Sequence, residues 1–132
     1  MYAFETTVHA DLPTTEAAVR EALGAVGFGV VSEIDVSANL KNALGVDRPP
    51  LKILGACSPV LVQHALALDD DVAVLLPCNV VLDPASEGTR VRIIDPEQLM
   101  DDPRFATLAS EATESFRAVL ARLDAQFAST SA

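Results

Sequence analysis

Phe105, Leu108, Ala109, Ala112, Phe116, Val119, Leu120, Leu123 and Phe127 recur at three- and four-residue intervals. The pattern spans about six turns of an α-helix with one apolar stripe. It predicts a continuous helix from about Pro103 to Phe127, anchored by Phe105, Phe116 and Phe127. A stripe of that length cannot bury itself. It needs a second layer of structure, so the rest of the chain must supply a surface for this helix to pack on.

The remainder reads as strands punctuated by helix starts. Tyr2 to His9 alternates, with Tyr2, Phe4, Thr6 and Val8 on one face, as a half-buried strand does. A helix opens at Pro13, with Thr14 as the expected N-cap and Glu16 in its first turn, and Val19, Leu23 and Val26 form its stripe. Gly27 stops it in the left-handed conformation. Phe28 to Val36 is the second strand, expected to place Phe28, Val30, Ser32, Ile34 and Val36 on one face and Val31, Glu33 and Asp35 on the other. A short helix follows, carrying Val36, Leu40 and Leu44 and ending at Gly45. Pro49-Pro50 makes the next segment a loop. Leu51 to Cys57 is the third strand. Ser58-Pro59 begins another helix, the serine capping and the proline filling a position whose N–H is not needed. Its buried side is Leu61, Val62, Ala65 and Leu66, and Asp69, Asp70 and Asp71 end it.

Val72 to Asp83 is the most apolar segment and is expected to be a central strand, with Pro77 marking a bulge. Pro84 to Gly88 turns a hairpin and Thr89 to Asp95 returns. Asp95-Pro96 and Asp102-Pro103 are two further helix starts. The hairpin argues against a purely parallel sheet. The expected class is α+β: one mixed, mainly antiparallel sheet of about five strands, with helices packed on it and a long C-terminal helix. Residues 1–132 are expected to form a single domain with a frayed tail at 129–132.

Charge narrows the partners. Nineteen acidic and nine basic residues leave a formal net charge of −10. Such an acidic protein lacks the basic footprint that nucleic acid or an anionic membrane surface requires. The N-terminus has no basic start and no apolar run of a signal peptide, and no stretch approaches the length of a membrane span. The expectation is a soluble, cytoplasmic protein whose two cysteines rest as thiols.

Four segments, EIDV (33–36), ACSP (56–59), LLPCN (75–79) and DP (95–96), occur in this order ahead of the long helix. In this arrangement the chain resembles the domain-of-unknown-function 302 family from about Phe4 to Phe127. The resemblance implies a small α+β fold found as homodimers, and it brings no assigned activity. It also implies cysteine at the positions of Cys57 and Cys78. The family often places asparagine after each; here Asn79 keeps that pattern and Ser58 departs from it.

The chemical candidates are few. Cys57 sits before a helix start, where free N–H groups and the helix dipole favour a thiolate. Cys78 follows Pro77, and if the third and fourth strands are neighbours the two sulfurs share a site with Ser58 and Asn79. Glu33 and Asp35 lie two apart on a strand, a spacing able to split two carboxyl pKa values, with Lys41 as a partner. Asp35 is equally suited to cap the helix after it. His9 and His64 add no paired ligand spacing, so no metal site is expected. Gly24, Gly27 and Gly29 close a helix and open a strand, the wrong order for a dinucleotide loop, and no cofactor is expected. Arg90 and Arg92 share a strand face that suits an anion or simply a charged exterior. No common catalytic signature is present. Two functions remain: a homodimer binding a small ligand or a partner protein, or a thiol- or sulfur-handling enzyme or carrier using Cys57 and Cys78.

Overall fold

The computed structural model describes residues 3–128. The start of the first strand at Tyr2 and the tail at 129–132 lie outside the described residues. Five strands form one sheet: β1 (Ala3–Val8), β2 (Gly29–Asp35), β3 (Lys52–Cys57), β4 (Cys78–Ala85) and β5 (Gly88–Ile94). Their order across the sheet is β1-β5-β4-β3-β2, and every neighbouring pair is antiparallel. The fold is therefore α+β, and no parallel pair occurs among the described strands.

The helices are α1 (Leu12–Ala25), α2 (Val36–Leu44), α3 (Pro59–Leu68), α4 (Pro96–Leu99) and α5 (Ala106–Gln126). Helices α1 and α5 cover one face of the sheet. Val8, Leu54, Ala56, Cys78, Val80, Leu82, Val91 and Ile93 point toward them and are buried with Val19, Leu23, Phe116, Val119 and Leu123. The long apolar stripe thus has its partner surface. Phe116 is fully buried, with its ring 4.8 Å from that of Phe28. Phe105 and Leu108 anchor a second cluster with Ala65, Val72 and Met100.

Several expectations change. The N-cap of α1 is Asp11, not Thr14; the Asp11 carboxylate accepts from the Thr14 N–H. The reason is that Pro13 fits inside the first turn, which moves the cap upstream. The last helix begins at Ala106, because Pro103–Phe105 forms a separate 3-10 turn capped by Asp102. Val72 to Leu76 is not strand. Asp70–Leu75 is a 3-10 helix with Asp69 as its cap, and β4 starts only at Cys78. Pro77 therefore precedes the strand and does not bulge it. Three consecutive aspartates favour a capped turn over an extended start, and that local preference overrides the apolar run.

The second strand carries the sharpest correction. Val30 pairs with Ala56, but Ser32 pairs with Gly55, so a bulge sits between them. One extra residue reverses the alternation. Val30, Glu33 and Asp35 accordingly share the helix-facing side, while Ser32 and Ile34 point to the other face. The expected sharing of one face by Val30 and Ile34 fails for this reason.

The hairpin between β4 and β5 turns through Ser86 and Glu87, with Ala85 opposite Gly88. Gly88 has φ +149 and lies against the backbone carbonyl of Val8, so any side chain there would collide with main chain.

Candidate functional site

The two cysteines come together through the β3–α3 junction. Ala56 pairs with Cys78 across the sheet, and both side chains are buried on the helix side. Strict alternation would send Cys57 to the opposite face. Cys57 is the last residue of β3, however, and the chain turns there into α3. Cys57 and Cys78 line the same cavity, with Ser58 at its edge and with Phe28, Leu61, Leu76, Met100 and Leu108 among its walls. Its volume is about 30 Å³, room for one or two atoms and far below an organic ligand pocket of roughly 300 Å³ or more.

Ser58 caps α3 as its sequence suggested: its hydroxyl accepts from the Leu61 N–H at 3.4 Å. Both thiols are free, Cys57 half-buried and Cys78 buried. Burial, helped by the nearby Cys57 charge, pushes the Cys78 thiol up to about 11. It is therefore a protonated, weakly reactive sulfur at neutral pH. Asn79 does not join the cysteines. It pairs with Gly55, is exposed, and faces a separate surface hollow with Pro77 and Ile94. A strand reverses direction of its side chains at each step, so adjacency to Cys78 in sequence sends Asn79 away from it in space.

Glu33 and Lys41 lie elsewhere and apart. Lys41 pairs with Asp47 at 2.8 Å on the exposed surface. Asp35 caps α2 through the Ala38 N–H, and this bond, with one from Ser37, holds its carboxyl below the usual range. Glu33 joins a four-member ion network: Arg20 donates to Glu33 at 2.8 Å and to Glu16 at 3.0 Å, and Lys52 lies 2.7 Å from Glu16. Burial works to raise the Glu16 carboxyl, yet its bonds to Lys52 and Arg20 outweigh this and lower it. The network fastens α1 to β2 and β3. Its absence from the sequence reading follows from the bulge, which alone turns Glu33 toward α1.

Arg90 and Arg92 are occupied by a neighbour. Arg90 grips Asp83 with two bonds of 3.1 and 2.8 Å, and Arg92 lies 3.5 Å from the same carboxylate. These bonds, led by that from Arg90, hold Asp83 below the usual carboxylate range. Asp83 was not among the sequence candidates, although its register opposite Arg90 follows from the hairpin turn. No group of three or more His, Cys, Asp or Glu residues able to hold a metal ion occurs among the described residues. No described helix is long and apolar enough to cross a membrane.

The face of the sheet away from α1 and α5 is the second candidate surface. Ile34 pairs with Ile53, Ile53 with Val81, Val81 with Arg92, and Arg92 with Glu5. These five side chains form one row across all five strands. Ile34 is 44% exposed, and none of Ile34, Ile53 and Val81 belongs to either buried cluster. Sequence reading missed this row because register between strands is not written in any one strand.

Comparison with known proteins places this architecture. The family model for a domain of unknown function, DUF302, matches residues 4–123. The fold is similar to the crystal structure of an uncharacterized conserved DUF302 protein from Bacillus stearothermophilus, with a TM-score of 0.84 and 26% sequence identity. The match covers 93% of this chain and 98% of that one. No curated protein matches.

Proposed function

The chain belongs to the DUF302 family, and from that premise we propose that it is a binding module acting as a homodimer, its two copies meeting through the face of the sheet away from α1 and α5. The observation that carries this reading is the row Ile34, Ile53 and Val81, adjacent on three strands. An antiparallel sheet that faces water normally turns polar side chains outward. Here three β-branched apolar residues occupy its outward positions. Arg90 and Arg92 beside Asp83 and Glu5 give the same face both signs of charge. Such a patch suits a second copy of itself in an isologous pair. Five strands about 4.8 Å apart and about 20 Å long bury roughly 1,000 Å² in total when two copies stack. That reaches the lower bound for a specific interface, so the dimer is expected to be reversible.

Light scattering tests this directly. The native chain is expected at twice its monomer mass at high micromolar concentration. Ile53→Glu and Val81→Glu each place a charge at the centre of the pairing and are expected to give monomers with an unchanged circular dichroism spectrum. A native monomer, or a dimer indifferent to both substitutions, refutes the reading. The net charge of −10 supports solubility and a partner other than nucleic acid.

The cavity at Cys57 supports a second reading, a carrier or enzyme of thiol or sulfur chemistry. The shared lining by Cys57 and Cys78 favours it. Cys78 is buried with its thiol pushed up, which leaves the half-buried Cys57 as the more accessible member of the pair. Titration of the native protein with a thiol reagent decides this: two inert thiols would remove it.

A further inference from the structure

We propose that the cavity at the N-terminal end of α3 is a site for the soft monovalent ion Cu(I), held by the sulfurs of Cys57, Cys78 and Met100. All three residues line this one small cavity. They come from three separate elements: the end of β3, the start of β4 and the turn after α4. Met100 is 8% exposed and Cys78 is 5% exposed, so two of the three sulfur-bearing side chains are held in the interior. Thiolate and thioether sulfur are the ligands that select Cu(I) over harder ions.

The rest of the cavity agrees with this choice. Its other walls are apolar apart from Ser58, whose hydroxyl is engaged in capping α3. His9 and His64 are exposed and do not line it. A structural zinc site needs four N, S or O ligands, and the described residues offer no cluster of that kind. A volume of about 30 Å³ accepts an ion and excludes an organic ligand. Binding balances simply: one Cu(I) enters as two thiol protons leave, which gives a complex of net charge −1. The N-terminal end of α3, next to Cys57, carries the partial positive charge that opposes it. No change in oxidation state is involved, and the dimer face takes no part.

The test is anaerobic titration with Cu(I) against a chromophoric Cu(I) chelator, on the native chain. One tightly held equivalent per chain is expected, with a thiolate-to-copper absorption band. Cys57→Ser and Cys78→Ala are each expected to abolish it, and Met100→Leu to weaken binding by at least about tenfold, no less than the loss of an outer-shell partner. X-ray absorption of the loaded native protein guards against variants that fail to fold: it should show a first shell of sulfur alone. Nitrogen or oxygen in that shell overturns the proposal. So does a Cys78→Ala variant that folds and binds as the native chain does, which would mean an adventitious ion on Cys57.

Discussion

Phe116 shows how much one side chain contributes here. It is 0% exposed, sits at the middle of the α5 stripe and meets Phe28 across the core. Phe116→Ala is expected to cost about 3–5 kcal/mol in chemical denaturation, the transfer loss plus the cavity left behind. A loss below about 1 kcal/mol would mean that this face of the helix is not core. The two cysteines make a contrasting pair at the same scale. Cys78 is buried and its thiol is pushed up to about 11, whereas Cys57 is half-buried at the mouth of a helix. Alkylation of the native, metal-free protein at pH 8, read by mass spectrometry, is expected to label Cys57 first and Cys78 only after unfolding. Equal rates at the two sites would contradict the burial argument.

At the scale of elements, the capped starts and the hairpin are the local devices with measurable consequences. Ser58 ties the first turn of α3 to the end of β3. Ser58→Ala is expected to lower stability by about 1 kcal/mol, with Ser58→Asp restoring the cap. The β4–β5 hairpin carries the Asp83 carboxylate clamped by Arg90. Its folded pKa lies below the ordinary 3.8. Its contribution to stability is therefore complete above that value and is lost as pH falls through the lower, folded value. Asp83→Asn is expected to flatten that acid limb of the stability profile, and an unchanged limb would show that the clamp contributes nothing. The cap was legible along the chain, since a cap and its proline are neighbours in sequence; the hairpin was legible too, but the Asp83–Arg90 clamp needed its register. The β2 bulge was not legible. Nothing in Gly29–Asp35 marks the extra residue, which is visible only in the pairing with β3.

The molecule as a whole is a two-layer structure with helices on one side of the sheet and a partly apolar row on the other. If two copies meet there, folding and association are linked. The midpoint of thermal unfolding should then rise with protein concentration, because the dimer is favoured by mass action. A midpoint constant over a hundredfold range of concentration, together with a monomer mass, would set the dimer aside. The same layering explains the position of the cysteines. The helix layer closes over Cys78, and the turn from β3 into α3 brings Cys57 round to meet it.

Local chemistry was sufficient for the elements whose causes are local. The period of α5, the Ser58, Asp95 and Asp102 caps beside their prolines, the Gly45 stop at φ +68 and the β4–β5 turn are each set by residues a few positions apart. The α+β class followed from them, because a long amphipathic helix and a hairpin admit few other arrangements. Tertiary structure alone decided what depends on register and on closure between distant segments. It set the strand order, turned Glu33 toward Arg20 and Asn79 away from Cys78, and aligned Ile34 with Ile53 and Val81. It also brought Met100, from the turn after α4, to the wall shared by cysteines from β3 and β4. The physical reason is that a side chain's face is fixed by pairing between strands, and a single inserted residue reverses it.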